Sequence, residues 1–201
     1  MEELIFDMDG TLWDSSENVA KAWSEIIGRE ITAKDISSVM GLTMDVIAER
    51  FFPSMPEEKA MELMDRCAEH ENEYLAGHGG RLYGGVTETL QKLSEGRRLF
   101  IVSNCQKGYI ECFLGYYGLG KFFSDHSCWG DNTLSKAENI KLIIERNNIE
   151  SPVYIGDTQG DCDSAYAAGA KFIHAAYGFG TADRYDAKID SFSELTKLFP
   201  A

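Results

Sequence analysis

Apolar strand-like runs alternate with helical segments through the second half of the chain, and this alternation indicates an α/β protein. Runs at 4–6, 99–104, 153–155 and 172–175, with a further segment near 122–129, predict five strands buried in a sheet. Helical patterns at 87–95, from about 107, at 136–148 and at 160–168 separate them. This order predicts a doubly wound, Rossmann-like parallel sheet with right-handed crossovers.

The alternation is absent from residues 15–81, which instead show four amphipathic helix patterns. Their opening residues are Ser15 or Ser16, Thr32 with Asp35, Thr43, and Pro56. Helices without an intervening strand predict a small helical bundle. We therefore predict a core domain made of residues 1–14 and 82–201, interrupted by an all-helical cap domain at residues 15–81.

The overall charge restricts the possible partners. A formal net charge of -14 argues against nucleic acid or an anionic membrane as a partner, because both require a basic surface. A small anionic substrate remains compatible, since carboxylates that hold a divalent cation count toward the formal charge. The cysteines form no CxxC pair, so neither a disulfide framework nor a zinc site is indicated. The first strand begins near Leu4 and no apolar run approaches membrane-spanning length, which predicts a cytoplasmic protein.

Two aspartates, Asp7 and Asp9, follow the first strand directly, before a turn at Gly10. Residues two apart on a strand face the same side, and the ligand crevice of an open α/β sheet lies beyond the carboxyl ends of its strands. A carboxylate there can attack phosphorus while a second one transfers a proton. The pair predicts an active site at this edge of the sheet.

Three further polar groups fall at the same edge. Ser103 and Asn104 end the second strand, and their hydroxyl and N–H groups could hold a phosphoryl oxygen. Lys136 opens the helix before the fourth strand and is favoured over Lys141, because the helix start faces the crevice. The segment GDTQGD at 156–161 follows the fourth strand, and its hard carboxylate oxygens suit magnesium.

In this order, DMDGTL at 7–12, residues 103–104, Lys136 and GDTQGD at 156–161 resemble the four motifs of the haloacid dehalogenase superfamily. Most members of that superfamily are magnesium-dependent phosphohydrolases. The helical insertion between the first two motifs is similar to that of its phosphoglycolate phosphatase-like branch. The proline that usually follows the motif lysine is replaced by Ala137.

The resemblance implies a role for each motif residue. It implies that Asp7 is the nucleophile and Asp9 the general acid and base, with Ser103, Asn104 and Lys136 holding the phosphate. It also implies a Mg²⁺ cofactor bound by Asp7, Asp157 and the backbone carbonyl of Asp9, with Asp161 holding a metal-bound water. The activity so implied is hydrolysis of a small phosphomonoester metabolite through an aspartyl-phosphate.

Three alternatives remain open. A phosphosugar mutase of the β-phosphoglucomutase branch shares the core and the cap, but its charged cap residues correspond here to Val19, Met44 and Ala76. A haloacid dehalogenase needs neither the second acid nor magnesium. A non-catalytic binding module would be expected to have lost at least one of Asp7, Asp9, Lys136 or Asp157.

Two links, at 13–15 and at 77–85, join the insertion to the core, and the glycines of the second predict a hinge that lets the cap close. Arg81 in that link either reaches an anionic substrate group or is an exposed charge. Trp13 either lines the cavity or packs at the hinge. The glycine-containing loop at 177–180 follows the fifth strand and is a candidate border of the site.

Overall fold

The computed structural model describes residues 2–200. Its strands are β1 (Glu3–Phe6), β2 (Trp13–Asp14), β3 (Arg81–Leu82), β4 (Leu99–Ser103), β5 (Asp125–Cys128), β6 (Pro152–Gly156), β7 (Lys171–Ala175) and β8 (Ala187–Ile189). Its α-helices are α1 (Ser16–Ile27), α2 (Ala33–Ser37), α3 (Met44–Phe51), α4 (Glu57–His78), α5 (Val86–Ser94), α6 (Tyr109–Tyr117), α7 (Trp129–Asn132), α8 (Lys136–Asn147), α9 (Gln159–Ala167) and α10 (Leu195–Leu198).

Six strands form one parallel sheet in the order β5-β4-β1-β6-β7-β8. The first strand, β1, lies in the middle, with β4 on one side and β6 on the other. The chain therefore reverses its direction of winding beside β1, and in such sheets this switch point is where the ligand crevice opens. The predicted doubly wound α/β fold is confirmed.

Alternation along β1 distributes its side chains between two apolar layers. Leu4 and Phe6 are buried in the layer that includes Leu90 of α5, whereas Ile5 is buried in the layer that includes Ile140 of α8. Both faces of the sheet are thus covered. This explains why the central strands are continuous apolar runs and lack a polar face.

The insertion consists of α1 to α4, as the helix patterns predict. Gly28 ends α1 with a φ of 75°, a left-handed conformation that glycine adopts without a steric penalty. Thr32 and Asp35 form a capping box that starts α2. The helices share a continuous apolar cluster with the layer beneath α5. The division of the chain into two domains at residues 15 and 81 stays a prediction.

The two links pair with each other as an antiparallel ribbon, which the sequence analysis did not predict. Trp13 is opposite Leu82 and Asp14 is opposite Arg81. Two-residue strands beside glycines carry no alternation pattern, so nothing local indicates this pairing. Trp13 is fully buried and packs against the rings of Tyr109, Phe113 and Tyr117, which favours its packing role over cavity lining.

Of the two alternatives for Arg81, the structure favours the exposed charge. Its guanidinium Nη2 lies 3.0 Å from Asp14 Oδ2, and 77% of its side chain is exposed. Exposed ion pairs of this kind contribute little to stability. In this structure Arg81 is therefore engaged at the link and does not line the cavity described below.

Several boundaries differ from the expectations. The helix expected near residue 107 begins at Tyr109, because Gly108 has a φ of 88° and is not helical. The strand expected near 122–129 is shortened to Asp125–Cys128 by a 3-10 turn at Gly120–Phe122. The edge strand β8 was missed because its three residues include the polar Lys188. Within residues 2–200, no helix combines the length and apolarity needed to cross a membrane.

Candidate active site

A buried lysine joins two of the motif aspartates. Lys136 Nζ lies 3.0 Å from Asp7 Oδ1 and 2.6 Å from Asp161 Oδ1, and all three side chains are almost completely buried. Burial by itself would lower the pKa of Lys136, but the two carboxylates raise this pKa above its usual value. The lysine is therefore held in its charged form against Asp7.

The start of α8 brings Lys136 to this place. Ser135 caps the helix by accepting a hydrogen bond from the backbone N–H of Glu138, and the Glu138 carboxylate accepts one in return from the Ser135 N–H. This capping box ends the preceding loop at Ser135, so that Lys136 is the first helical residue. The capping box therefore sets the start of α8 even though residue 137 is not proline.

The spacing of GDTQGD follows from a second capping box. Thr158 accepts a hydrogen bond from the Asp161 N–H, and Asp161 Oδ2 accepts hydrogen bonds from the Thr158 N–H and hydroxyl at 2.9 and 2.8 Å. Because Oδ1 of Asp161 already accepts from Lys136, its carboxylate connects the start of α9 to the start of α8. Asp161 thereby positions Lys136.

The carboxylate of Asp157 lies in a cradle of backbone. Its Oδ2 accepts hydrogen bonds from the N–H groups of Phe179 and Gly180, at 2.7 and 3.2 Å. A Cβ atom on Gly10 would lie 2.3 Å from Asp157 Oδ2, and one on Gly178 would lie 2.4 Å from Asp157 Cβ, so both loops need glycine for this approach. The 177–180 loop therefore borders the site.

The acidic cluster fits a divalent cation. Asp7, Asp157 and Asp161 each place a carboxylate oxygen within 4.8 Å of the others, and Lys136 is their nearest cation. Oδ1 of Asp157 is buried without a hydrogen-bond partner among residues 2–200. Burial raises the pKa of Asp7 well above its usual value, and burial together with Asp161 raises that of Asp157 to about 7. Hard oxygen donors with excess negative charge suit Mg²⁺.

Asp9 has an environment of its own. Its Oδ1 accepts hydrogen bonds from the Ser15 hydroxyl at 2.6 Å and from the Tyr109 hydroxyl at 2.9 Å. Burial raises the pKa of Asp9 to about 6, and the two hydrogen bonds partly offset that rise. A carboxyl group of this kind can release and take up a proton near neutral pH. Sequence reasoning assigned Ser15 only to helix capping and did not single out Tyr109.

Ser103 and Asn104 stand at the carboxyl end of β4, beside Asp7 and Asp9. Both line the same small cavity as the two aspartates. The Asn104 side-chain Nδ2 donates a hydrogen bond to the Gly41 carbonyl at 2.8 Å, which connects the core to the insertion. The structure thus brings all seven predicted site residues to one edge of the sheet, and the chemical role of each stays a prediction.

Comparison with known proteins identifies the family. The sequence pattern of the haloacid dehalogenase-like hydrolase family matches residues 4–175. The chain belongs to this family. The match extends from β1 to β7 and includes all four motifs, which confirms the family recognised from them.

Relatives of this haloacid dehalogenase-like hydrolase span almost its whole length. A phosphoglycolate phosphatase of Pectobacterium atrosepticum is 25% identical over 213 residues, covering 97% of this chain and 91% of the relative. One from Agrobacterium fabrum is 26% identical over 209 residues, covering 96% and 89%.

Solved structures share the fold. A haloacid dehalogenase-like family protein from Streptococcus pneumoniae has a TM-score of 0.83 at 20% identity, covering 98% of this chain and 97% of that chain. A predicted phosphoglycolate phosphatase from Haemophilus somnus has a TM-score of 0.85 at 20% identity, covering 98% and 96%.

In this hydrolase, the insertion and the core enclose a cavity of about 50 Å³. The core contributes Asp7, Asp9, Ser103 and Tyr109 to its wall. The wall on the insertion side is mainly apolar, and its residues include Val19, Ile36, Val39, Leu42, Met44 and Ile47. The cavity therefore has one polar end at the strand edge and a largely apolar end beneath the insertion.

One acid on the insertion side, Glu71 of α4, was not singled out from the sequence. Its Oε2 accepts a hydrogen bond from the Trp23 indole N–H, and its Oε1 accepts one from Gln106 Nε2 at 3.0 Å. Burial raises the pKa of Glu71 to about 7, and the nearby charge of Asp9 adds to the rise. The helix α4 carries many acids, and only the tertiary structure distinguishes this buried one from those in solvent.

Proposed function

We propose that this protein is a magnesium-dependent phosphatase that hydrolyses a small phosphomonoester through an aspartyl-phosphate at Asp7. The contrast between the environments of Asp7 and Asp9 carries the proposal. Lys136 pairs with Asp7, whereas within residues 2–200 the Asp9 carboxylate accepts hydrogen bonds only from neutral hydroxyl groups, and burial raises its pKa to about 6. Two carboxyl groups in such different environments suit a nucleophile and a proton-transfer group.

In the first step, an Asp7 oxygen forms a bond to phosphorus as the ester P–O bond breaks. Asp9 gives its proton to the leaving oxygen, so an alcohol departs. Both side-chain hydrogen bonds to the Asp9 carboxylate within residues 2–200 end on Oδ1, which leaves Oδ2 available to carry that proton. Lys136 and Ser103 contact the charged phosphoryl oxygens during this transfer.

In the second step, the Asp9 carboxylate takes a proton from water, and the water oxygen attacks phosphorus. The bond between phosphorus and Asp7 breaks, which regenerates the Asp7 carboxylate and forms inorganic phosphate. The apolar wall of the insertion excludes other water from the site. Proton transfer in both steps therefore depends on Asp9, which alternates between acid and base.

Mg²⁺ fits the residues of the site. Asp7, Asp157 and the backbone carbonyl of Asp9 would hold the ion. Oδ1 of Asp157, which has no hydrogen-bond partner within residues 2–200, supports this set. When bound, the ion supplies positive charge that stabilises the phosphoryl oxygens. The loop at 177–180 fixes Asp157 for this role by binding its other oxygen.

We further propose that the insertion opens to admit substrate and closes for reaction. A cavity of about 50 Å³ beneath the insertion is small, and the hydrogen bond from Asn104 to Gly41 lies across its edge. The paired links β2 and β3 are the two chain crossings about which it would move. Closure of this kind excludes water from the reacting phosphoryl group.

Activity is expected to depend on Mg²⁺. Thorough metal removal should abolish phosphate release, and added Mg²⁺ should restore it. Excess Ca²⁺ should inhibit, because its larger and looser coordination shell misplaces the nucleophile. The measurement is phosphate release from an active substrate before and after dialysis against a chelator, with the Mg²⁺-restored sample as the control. Full activity in the metal-free protein would contradict the proposed cofactor.

A screen tests the reaction type. Phosphate release is measured over a panel of phosphorylated metabolites with Mg²⁺ present. The panel includes β-glucose 1-phosphate with a trace of the 1,6-bisphosphate. We expect free phosphate to form, because Val19 and Met44 give the insertion wall no cation for a second phosphate. Isomerisation to glucose 6-phosphate that outpaces phosphate release would refute the phosphatase proposal in favour of a mutase.

A further inference from the structure

The charged residues that line the cavity are all acids. They are Asp7 and Asp9 at the strand edge and Glu71 on the insertion side. In the described part of the chain, no lysine, arginine or histidine lines it. Lys136 does not line the cavity: Asp7 and Asp161 bind its ammonium group at the phosphate end, where we propose that it contacts the phosphoryl oxygens. The proposed metal site lies at the phosphate end as well, so the leaving-group end has no positive charge.

Glu71 is held in place at that leaving-group end. The hydrogen bonds from Trp23 and Gln106 each occupy one acceptor position, the first on Oε2 and the second on Oε1 of the Glu71 carboxylate. An ionised carboxylate has about four acceptor positions, so roughly two remain on Glu71. Glu71 forms no ion pair within residues 2–200, and the charge that acts on it most is that of Asp9, which repels it. A buried carboxylate without a cation is costly and points to a functional use.

A purely structural role would not need this charge. Glutamine has a similar shape, and its amide oxygen would accept the Trp23 hydrogen bond without burying an ion. The side chain is only 4% exposed, yet it reaches the cavity wall. Glu71 is therefore placed to accept a hydrogen bond from a molecule inside the cavity.

We propose that Glu71 is a specificity residue that binds a hydrogen-bond donor, a hydroxyl or an ammonium group, on the leaving alcohol of the substrate. This inference rests on the phosphatase function proposed above. The cavity of about 50 Å³ favours a small leaving alcohol of a few heavy atoms. The same acid disfavours substrates whose leaving alcohol carries a carboxylate or a second phosphate.

The rejection follows from electrostatics. A substrate carboxylate at the insertion end would meet Glu71 and apolar side chains such as Val39 and Leu42. The substrate carboxylate would lose its hydration without gaining a cation as partner, and the negative charge of Glu71 would repel it. Phosphoglycolate is a substrate of this kind. The substrate preference of this chain is therefore expected to differ from the one that the names of its relatives describe.

Four substrates with the same two-carbon skeleton test the inference. They are phosphoglycolate with a carboxylate, hydroxyethyl phosphate with a hydroxyl, phosphoethanolamine with an ammonium, and ethyl phosphate with neither. Phosphate release is measured with Mg²⁺ at about pH 8, above the raised pKa of Glu71, so that its carboxylate is charged. We expect kcat/KM for one of the two donor substrates to exceed that for phosphoglycolate at least about tenfold. The better of the two identifies the donor.

A variant assigns the preference to Glu71. Glu71→Gln keeps the shape and removes the charge, so the kcat/KM ratio of the better donor substrate to ethyl phosphate should fall about tenfold or more. A general structural defect would lower both rates and leave this ratio unchanged. Glu73→Gln on the same helix is the matched control, because Glu73 is exposed and its ratio should equal that of the wild type.

The outcomes are distinguishable from failure of the phosphatase proposal. The inference would be overturned if kcat/KM were highest for phosphoglycolate, or if the donor-to-ethyl-phosphate ratio of kcat/KM were unchanged in Glu71→Gln. Either result would leave the phosphatase proposal intact. Turnover of other phosphomonoesters but of none of these four would also overturn it. Absence of phosphate release across the whole panel would instead count against the phosphatase function itself.

Discussion

Asp7→Asn is expected to lower kcat by at least about 10³-fold, because loss of a nucleophile removes most of the rate enhancement that depends on it. An amide oxygen cannot form the proposed aspartyl-phosphate. The fold should persist, since Asp7 is one of several acids in a cluster with excess negative charge and Lys136 keeps its bond to Asp161. Steady-state phosphate release and thermal unfolding measure the two effects.

Asp163→Asn is the matched control for this substitution. Asp163 lies on α9 only two residues beyond Asp161, but it is exposed and its carboxylate binds Gln159. Asp163→Asn changes the net charge of the protein by the same amount as Asp7→Asn but leaves the candidate active site unchanged. We expect wild-type kinetics in this control. A wild-type rate in Asp7→Asn would require another nucleophile.

Lys136→Met should impair both stability and activity. Methionine keeps the approximate length of the side chain but leaves Asp7 and Asp161 buried without their cation. Breaking a buried ion pair on one side costs about 3–5 kcal/mol in the free energy of unfolding. Activity should fall at least about 10²-fold, because the phosphoryl oxygens lose a fixed positive charge. Thermal or denaturant unfolding and phosphate release, both with Mg²⁺ present, give the two values.

The pH dependence of this defect has a definite sign. Burial already raises the pKa of Asp7, and without the lysine its folded-state pKa lies still further above the unfolded-state value. The penalty is therefore present at high pH and shrinks as the pH falls and Asp7 takes up a proton. Lys141→Met, on the exposed side of the same helix, should show neither loss. An unfolding free energy equal to that of the wild type would contradict the pairing.

Local sequence patterns were sufficient for five of the six strands of the sheet and for the position of most predicted site residues at its edge. Strands such as β1 and β4 are continuous apolar runs because helices cover both of their faces. Asp7, Asp9 and Asp157 follow directly after their strands, so the geometry of a parallel sheet brings them together. Lys136 could be preferred over Lys141 because a helix start faces the crevice, whereas the helix middle faces solvent or the sheet.

The remaining site residues depend on contacts between distant parts of the chain. Tyr109 bonds Asp9 from 100 residues away, and Trp23 bonds Glu71 across 48 residues. The backbone N–H groups of Phe179 and Gly180 that hold Asp157 have no side-chain signature at all. Periodicity can predict that a helix has a buried face, but it does not reveal which acid on α4 meets the cavity. These contacts form within the folded core, or within the folded insertion for Trp23 and Glu71, between segments that are distant in the sequence.

Trapping the covalent intermediate tests the proposed mechanism most directly. Asp9→Asn removes the base that activates water in the second step. The first step should still proceed with a good leaving group such as p-nitrophenol, because this group departs without needing a proton. The variant is mixed with p-nitrophenyl phosphate and Mg²⁺, quenched in acid, and the peptide that contains Asp7 is examined by mass spectrometry. We expect a burst of p-nitrophenol equal to the enzyme concentration and one phosphoryl group on Asp7. A stoichiometric burst with an unmodified Asp7 would contradict the assignment of this residue as the nucleophile.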